Sequence, residues 1–263
     1  MNSVSILGIP LFSGNISNAI SIVLDEIKKQ QSKKSRLITA TNAHGLVISQ
    51  KNKELEDILN KSFLNLPDGM SSVWLGRLKG KSEMNRCYGH DLFVEIIKKT
   101  SEQKINHFFC GGKDGVGENL KEFCQRELNN TNIVGTHTPP FTEMTDEEIN
   151  LLIQQVNNAK TDILWLGLSC PKQEFLANRL KNLVNVHFII TVGAAFDFHT
   201  RNLKQAPQWI QHSGLEWLFR LLIEPKRLWK RYFTVVPLFI FYNLNEFIKS
   251  RFLLKNKTNL PIS

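Results

Sequence analysis

Residues 106–128 read NHFFCGGKDGVGENLKEFCQREL, and this stretch decides the fold class. Asn106–Cys110 is an apolar run of strand length. Gly111, Gly112 and Gly115 then allow a sharp turn, and Val116 to Leu128 has helical spacing. A strand that enters a helix through a glycine turn is half of a β–α–β unit. Glycines there also let the backbone approach a ligand, and the helix N-terminus favours an anion. The same glycines equally suit a tight turn that binds nothing. The spacing is not GxGxxG, and no lysine–serine pair of an ATP-hydrolysing loop follows.

Working outward, the pattern repeats. Ser3–Ile9, Arg36–Thr41, Ser62–Leu66, Asn132–Thr136, Ile163–Leu168 and His187–Val192 read as further strands. Helical spacing fills the gaps at Ile16–Gln31, Ala43–Asn60, from Met70, His90–Gln103, Asp146–Ala159 and Lys172–Leu183. This alternation predicts an α/β fold: a mostly parallel, Rossmann-like sheet with helices on both faces. Ligands of such sheets bind outside the carboxyl ends of the strands. The polar motifs sit there: Thr41-Asn42, Pro67-Asp68-Gly69, Gly111-Gly112, Gly167 to Glu174, and Gly193 to Asp197.

The chain has 263 residues, 42% of them apolar and 22% charged, which excludes disordered and low-complexity classes. Four scattered cysteines without a CxxC pair read as reduced thiols. Met1 to Gly14 lacks the basic start of a secretory signal. The apolar run Val235–Tyr242 is too short to cross a bilayer, and it contains a proline. The net charge of +9 is uneven, because +6 of it falls within Gly214 to Lys257. Residues 1–213 therefore read as a Rossmann-like core, and 214–263 as a basic amphipathic helical appendage. Its cations suit phosphates or anionic lipid, and its Trp, Phe and Leu content suits a membrane interface. Trp209 and Trp217 are expected to pack on the core.

Among candidate groups, Asp68 reads either as a cap on the helix from Met70 or as an exposed general base. Gln173, in the first turn of a helix introduced by Pro171, reads as exposed and placed to bond sugar hydroxyls. Cys170 has no histidine beside it in sequence and reads as an inert thiol. The seven histidines show no metal-binding spacing and no Asp-x-Asp occurs, so neither a metal nor another cofactor is expected. A diphosphate leaving group would then be met by arginine, lysine and helix dipoles.

The stretches TATNAHGLV (39–47), LPDGM (66–70), RCYGHDL (86–92), FFCGGKDGVGE (108–118), LWLGLSCPKQE (164–174), VGAAFDF (192–198) and GLEWLFRLLIEPKRLWKRY (214–232) resemble, in order, the WecG/TagA/CpsF family of bacterial glycosyltransferases. The resemblance covers about residues 4 to 235. It implies inverting, metal-independent transfer of a sugar, N-acetylmannosamine first among the candidates, from a UDP-sugar to an undecaprenyl-diphosphate-linked sugar. Such transfer would serve cell-surface polysaccharide or teichoic acid synthesis. The setting implied is cytoplasmic, peripheral on the inner face of the plasma membrane. By the same resemblance Asp68 is the base, Thr41 and Asn42 line the pocket, and Gln173 contacts substrate. Arg220, Arg227, Lys230 and Arg231 would close over the diphosphate. Arg86, Gly111, Gly112, Gly167, Pro171, Glu174, Gly193 and Asp197, in the shared motifs, complete the expected substrate-binding set. Departures occur at Phe198-His199-Thr200-Arg201 and Gln205-Ala206-Pro207, where donor or acceptor preference would change.

UDP-glucose and UDP-N-acetylmannosaminuronate remain alternative donors, and a non-catalytic nucleotide-sugar or lipid-binding partner is an alternative role. Nucleic acid is disfavoured, because the positive charge is confined to an apolar tail. Nothing in the sequence decides between a monomer and a homo-oligomer.

Overall fold

A computed structural model describes residues 2–29, 33–196 and 205–257 of the protein. Its centre is a six-stranded, wholly parallel sheet in the order β4-β3-β8-β7-β5-β6. The strands are β3 (Arg36–Thr41), β4 (Leu64–Pro67), β5 (His107–Gly111), β6 (Ile133–His137), β7 (Ile163–Gly167) and β8 (Phe188–Thr191). The chain leaves β5 toward β6 and leaves β7 toward β8, in opposite directions. A crevice therefore opens at the carboxyl ends of β5 and β7, as expected at such a reversal.

Both faces of the sheet are covered, so its strands are apolar throughout and successive side chains serve opposite cores. Ile163 and Trp165 join one core with Phe93, Phe109, Phe188 and Phe196. Leu164 and Leu166 join the other with Phe108, Ile189, Leu152 and Leu180. On the first face lie α1 (Ile16–Lys29), α5 (Gly89–Lys99) and α6 (Val116–Glu127). On the second lie α7 (Asp146–Asn158) and α8 (Lys172–Leu180). Thr145 and Glu148 form a reciprocal capping box at the start of α7. His107 is fully buried, accepts the Trp165 indole N–H at 3.1 Å, and lies 2.8 Å from Thr100 Oγ1. Burial holds its pKa down at about 3, so it is a neutral core histidine.

Two predicted elements divide. Ser3–Ile9 is not one strand but a hairpin of β1 (Ser3–Ile6) and β2 (Ile9–Phe12). Leu7 (φ 53°) and Gly8 (φ 79°) turn it with left-handed backbone, which Gly8 adopts without strain. The helix over Ala43–Asn60 is really α2 (Ala43–Ser49) and α3 (Lys53–Lys61). Asn52 intervenes and caps α3 by accepting the Leu55 N–H at 2.9 Å.

The hairpin, α2, α3 and α4 (Met70–Leu78) build a third apolar cluster. The C-terminal segment closes over it. After α9 (Gln208–His212) and α10 (Glu216–Ile223), the long α11 (Pro225–Lys257) buries Val235 and Phe239 among Val4, Ile6, Leu46 and Val47. Glu246 accepts the Leu7 N–H at 3.4 Å and pairs with Lys79 at 2.8 Å. No described helix is long and apolar enough to cross a membrane. Trp209, expected to pack inward, is 69% exposed. Trp217 meets Tyr232 edge to face at 5.7 Å.

Candidate active site

Parallel pairing carries Asp68 to its position. The Asp68 N–H donates to the Thr41 carbonyl at 3.1 Å, one step past the last β3–β4 pair. Asp68 does not cap the helix from Met70, because Gly69 occupies that N-cap position without a side-chain bond. Its Oδ1 instead accepts the Gly89 N–H, 3.0 Å away at the start of α5. Gly89 sits so close to β3 and β8 that an added Cβ would lie 3.2 Å from Ala40 Cβ and from Val192 O. A larger residue would push α5 off the strand ends and the donor away from Asp68. Burial raises the Asp68 pKa. The Arg86 guanidinium and the Gly89 N–H oppose this, while the Glu216 carboxylate adds to it.

Arg86 ties this carboxylate loop to the C-terminal segment. Its Nε donates to the Asp68 carbonyl at 2.6 Å, and Nη2 pairs with Glu216 at 2.5 Å. Nη1 reaches Gln211 at 3.4 Å, and the guanidinium lies 4.0 Å above the Tyr88 ring. Tyr88 itself donates to Glu216 at 3.2 Å. Arg86 and Glu216 side chains are both under one-sixth exposed, so the pair is well shielded from solvent. Sequence reasoning assigned Arg86 to substrate and gave Glu216 no role, although Glu216 lies within a motif-bearing stretch.

Three arginines converge beside this latch. Arg220, Arg227 and Arg231 all border a cavity of about 860 Å³ at the carboxyl edge of the sheet. Arg227 is held at 2.8 and 2.6 Å by Glu224, one turn before it. Burial and then the charge of Arg227 lower the Arg231 pKa, and Arg220 adds to the repulsion. Like charges gathered this way favour an anion. Lys230 does not join them: it lies over the Trp229 ring at 5.6 Å and borders neither this cavity nor its neighbour. His44 does border the cavity, and burial with the nearby Arg231 lowers its pKa to about 4. It is neutral at physiological pH, and its place was not legible from histidine spacing.

The remaining expected residues divide into walls and supports. Asn42, Gly112, Gly167 and Gly193 border the cavity. Asn42 uses its side-chain oxygen to cap α2, accepting from His44 and Gly45 at 3.1 and 3.3 Å. Thr41 is buried, 2.7 Å from Thr39 Oγ1, and does not border the cavity. Gly111 also stands behind the wall. A Cβ on it would come within 2.4 Å of the Gly167 carbonyl, so glycine permits the close approach of β5 and β7. Pro171 is the N-cap residue of α8, behind the cavity lining.

Gln173 corrects an expectation, for it is buried rather than exposed. Its Nε2 donates to Glu174 at 2.8 Å, and its Oε1 accepts the Gly193 N–H at 3.0 Å. The side chain thus fixes the Gly193 loop as well as bordering the cavity. Glu174 is buried behind it, and burial raises its pKa. Burial and the Glu174 carboxylate raise the Cys170 thiol well above its usual range, which leaves it a poor nucleophile. Asp197 and the variant segment Phe198 to Arg201 lie outside the described residues. Among the described residues no group of three or more His, Cys, Asp or Glu could hold a metal ion.

A second cavity of about 1130 Å³ opens from the first. Asn42, His44, Asp68, Glu216, Arg220 and Arg231 border both. The first is walled largely by the strand-end loops, the second by apolar residues of α4, α10 and α11. Asp68, Arg220 and Arg231 stand at the junction.

The model of the glycosyl transferase WecG/TagA/CpsF family matches residues 4–252. A Bacillus subtilis (strain 168) protein is 27% identical over 235 residues, 89% of each chain. It is named N-acetylglucosaminyldiphosphoundecaprenol N-acetyl-beta-D-mannosaminyltransferase. The protein of that name from Bacillus spizizenii is 27% identical over 205 residues, covering 78% of this chain and 77% of its own. With the match running from the β1–β2 hairpin into α11, this chain belongs to the WecG/TagA/CpsF family of glycosyl transferases.

Proposed function

We propose that this glycosyltransferase moves N-acetylmannosamine from a UDP-sugar to N-acetylglucosamine linked through diphosphate to a polyprenol. The observation that carries this reading is the position of Asp68, where the strand-end cavity, the apolar cavity, Arg220 and Arg231 meet. The two Bacillus relatives named for this transfer support it.

In this reading the donor occupies the strand-end cavity and the acceptor enters from the apolar side. The Asp68 carboxylate takes the proton of the acceptor hydroxyl as its oxygen attacks the anomeric carbon. The bond to UDP breaks on the opposite face, so configuration inverts. Arg220, Arg227 and Arg231 meet the charge that develops on the leaving diphosphate. Raised basicity suits Asp68 to this step, since a base works best with a pKa nearer the working pH. Asp68→Asn should lower kcat by about 10²–10⁴-fold. UDP affinity, measured by calorimetry, should hardly change. A variant that kept half its activity would remove Asp68 from the chemistry.

Arginine in place of a metal also gives a direct expectation. Transfer should survive excess EDTA unchanged, and complete loss restored by Mn²⁺ or Mg²⁺ would overturn it. A panel of UDP-N-acetylmannosamine, UDP-glucose and UDP-N-acetylmannosaminuronate would decide the donor. Exposed Leu222, Trp229, Phe233, Phe241 and Ile248 on the basic C-terminal helices support peripheral docking on an anionic membrane.

A further inference from the structure

We propose that the apolar groove between α4 and α11 is a binding site for the first isoprene units of the lipid acceptor. The inference rests on the transfer reading above and gives the hydrocarbon chain a place on the protein. One wall carries Trp74 and Leu78 of α4; the other carries Ile240, Leu244 and Phe247 of α11. Leu78 is 84% exposed and Leu244 is 57% exposed. A large apolar surface left open in this way marks a binding face.

Continuity with the reacting groups identifies the occupant. The groove opens at Asp68, Arg220 and Arg231, and its far end is bounded by the Lys79–Glu246 pair. An acceptor whose hydroxyl lies at Asp68 and whose diphosphate lies among the arginines has its hydrocarbon at the groove mouth. From Arg231 to Phe247, α11 rises about 24 Å at 1.5 Å per residue. That length takes several isoprene units and leaves the distal ones outside, where a bilayer would hold them. The walls are helices, whose backbone groups are already paired. They offer hydrogen-bond partners poorly to an extended peptide, whereas a hydrocarbon needs none. Gly214 shapes the entrance: it has φ 71°, and an added Cβ would lie 2.3 Å from the Trp74 ring. The start of the tail therefore lies directly against the groove wall.

The test compares two acceptors in detergent-free, lipid-free buffer: N-acetylglucosamine diphosphate carrying one isoprene unit, and the same head carrying three. The wild-type full chain should use the three-unit acceptor with a KM at least tenfold lower, at similar kcat. The double variant Leu78→Gln with Leu244→Gln should erase that preference by raising the three-unit KM at least tenfold. Equal KM values in the wild type would overturn the groove and leave the chain wholly in the bilayer. A preference that persists in the variant would overturn it too. Transfer to neither acceptor by the wild type would instead count against the transfer reading. A wild-type dimer in sedimentation that dissociates in the double variant would assign the groove to a second copy and overturn the lipid site. Should the double variant misfold, the wild type with a photoreactive three-unit acceptor decides: crosslinks must map to α4 and α11, and labelling elsewhere refutes the site.

Discussion

At the scale of single residues, the Asp68 environment is set by two opposed neighbours. Arg86 pulls its pKa down, while burial and Glu216 push it up, and the net result is a raised value. A base acts only when deprotonated, so the acid limb of kcat/KM should lie above the ordinary carboxylate range of about 4. Glu216→Gln removes the negative charge and leaves Arg86 with Asp68 as its nearest counter-charge. The Asp68 pKa should fall, and the acid limb should move to lower pH. Turnover should fall as well, because the bond that holds α10 to Arg86 and Tyr88 is weakened. A pH–rate profile of both proteins checks this. A limb that stayed in place or moved up would show that Glu216 does not act on Asp68.

At the scale of elements, the regular part of the fold was legible because a covered parallel sheet writes itself as short apolar runs. β5 and β7 fall within one residue of their expected ends, since Gly111 and Gly167 must be small where the strands meet. The hairpin was not legible as a hairpin: Leu7-Gly8 lacks the Asn-Gly or Asp-Gly signature, and Ile9 resumes the apolar pattern immediately. The split between α2 and α3 turns on one capping side chain, Asn52, inside an otherwise continuous helical pattern. Gln173 misled for a different reason. A polar residue in a first helical turn is usually solvated, but here Glu174 and Gly193 satisfy both ends of its amide. Pairings such as Arg86 with Glu216 span 130 residues, and local periodicity carries no trace of them.

At the scale of the whole molecule, the C-terminal helices both finish the apolar cluster over the hairpin and bring Arg220, Arg227 and Arg231 to the cavity. Ending the chain at Ser213 should therefore have two separable effects. The cluster loses the packing of Val235 and Phe239, and the burial of Leu228 is lost with them. At about 1.5–3 kcal/mol for each such side chain, several kcal/mol of burial disappear. A chain of this size loses about 2–4 °C of Tm per kcal/mol, so Tm should fall by roughly ten degrees or more. The parallel sheet contains no strand from the tail, so its circular dichroism signature should persist below the new Tm. Transfer should vanish even with a water-soluble acceptor, because the arginines are gone, and liposome flotation should fail with it. Retained transfer at near-normal rate with only flotation lost would reduce the tail to a tether. Retained Tm would show that α11 does not rest on the hairpin in solution, and then it could not hold the arginines over Asp68.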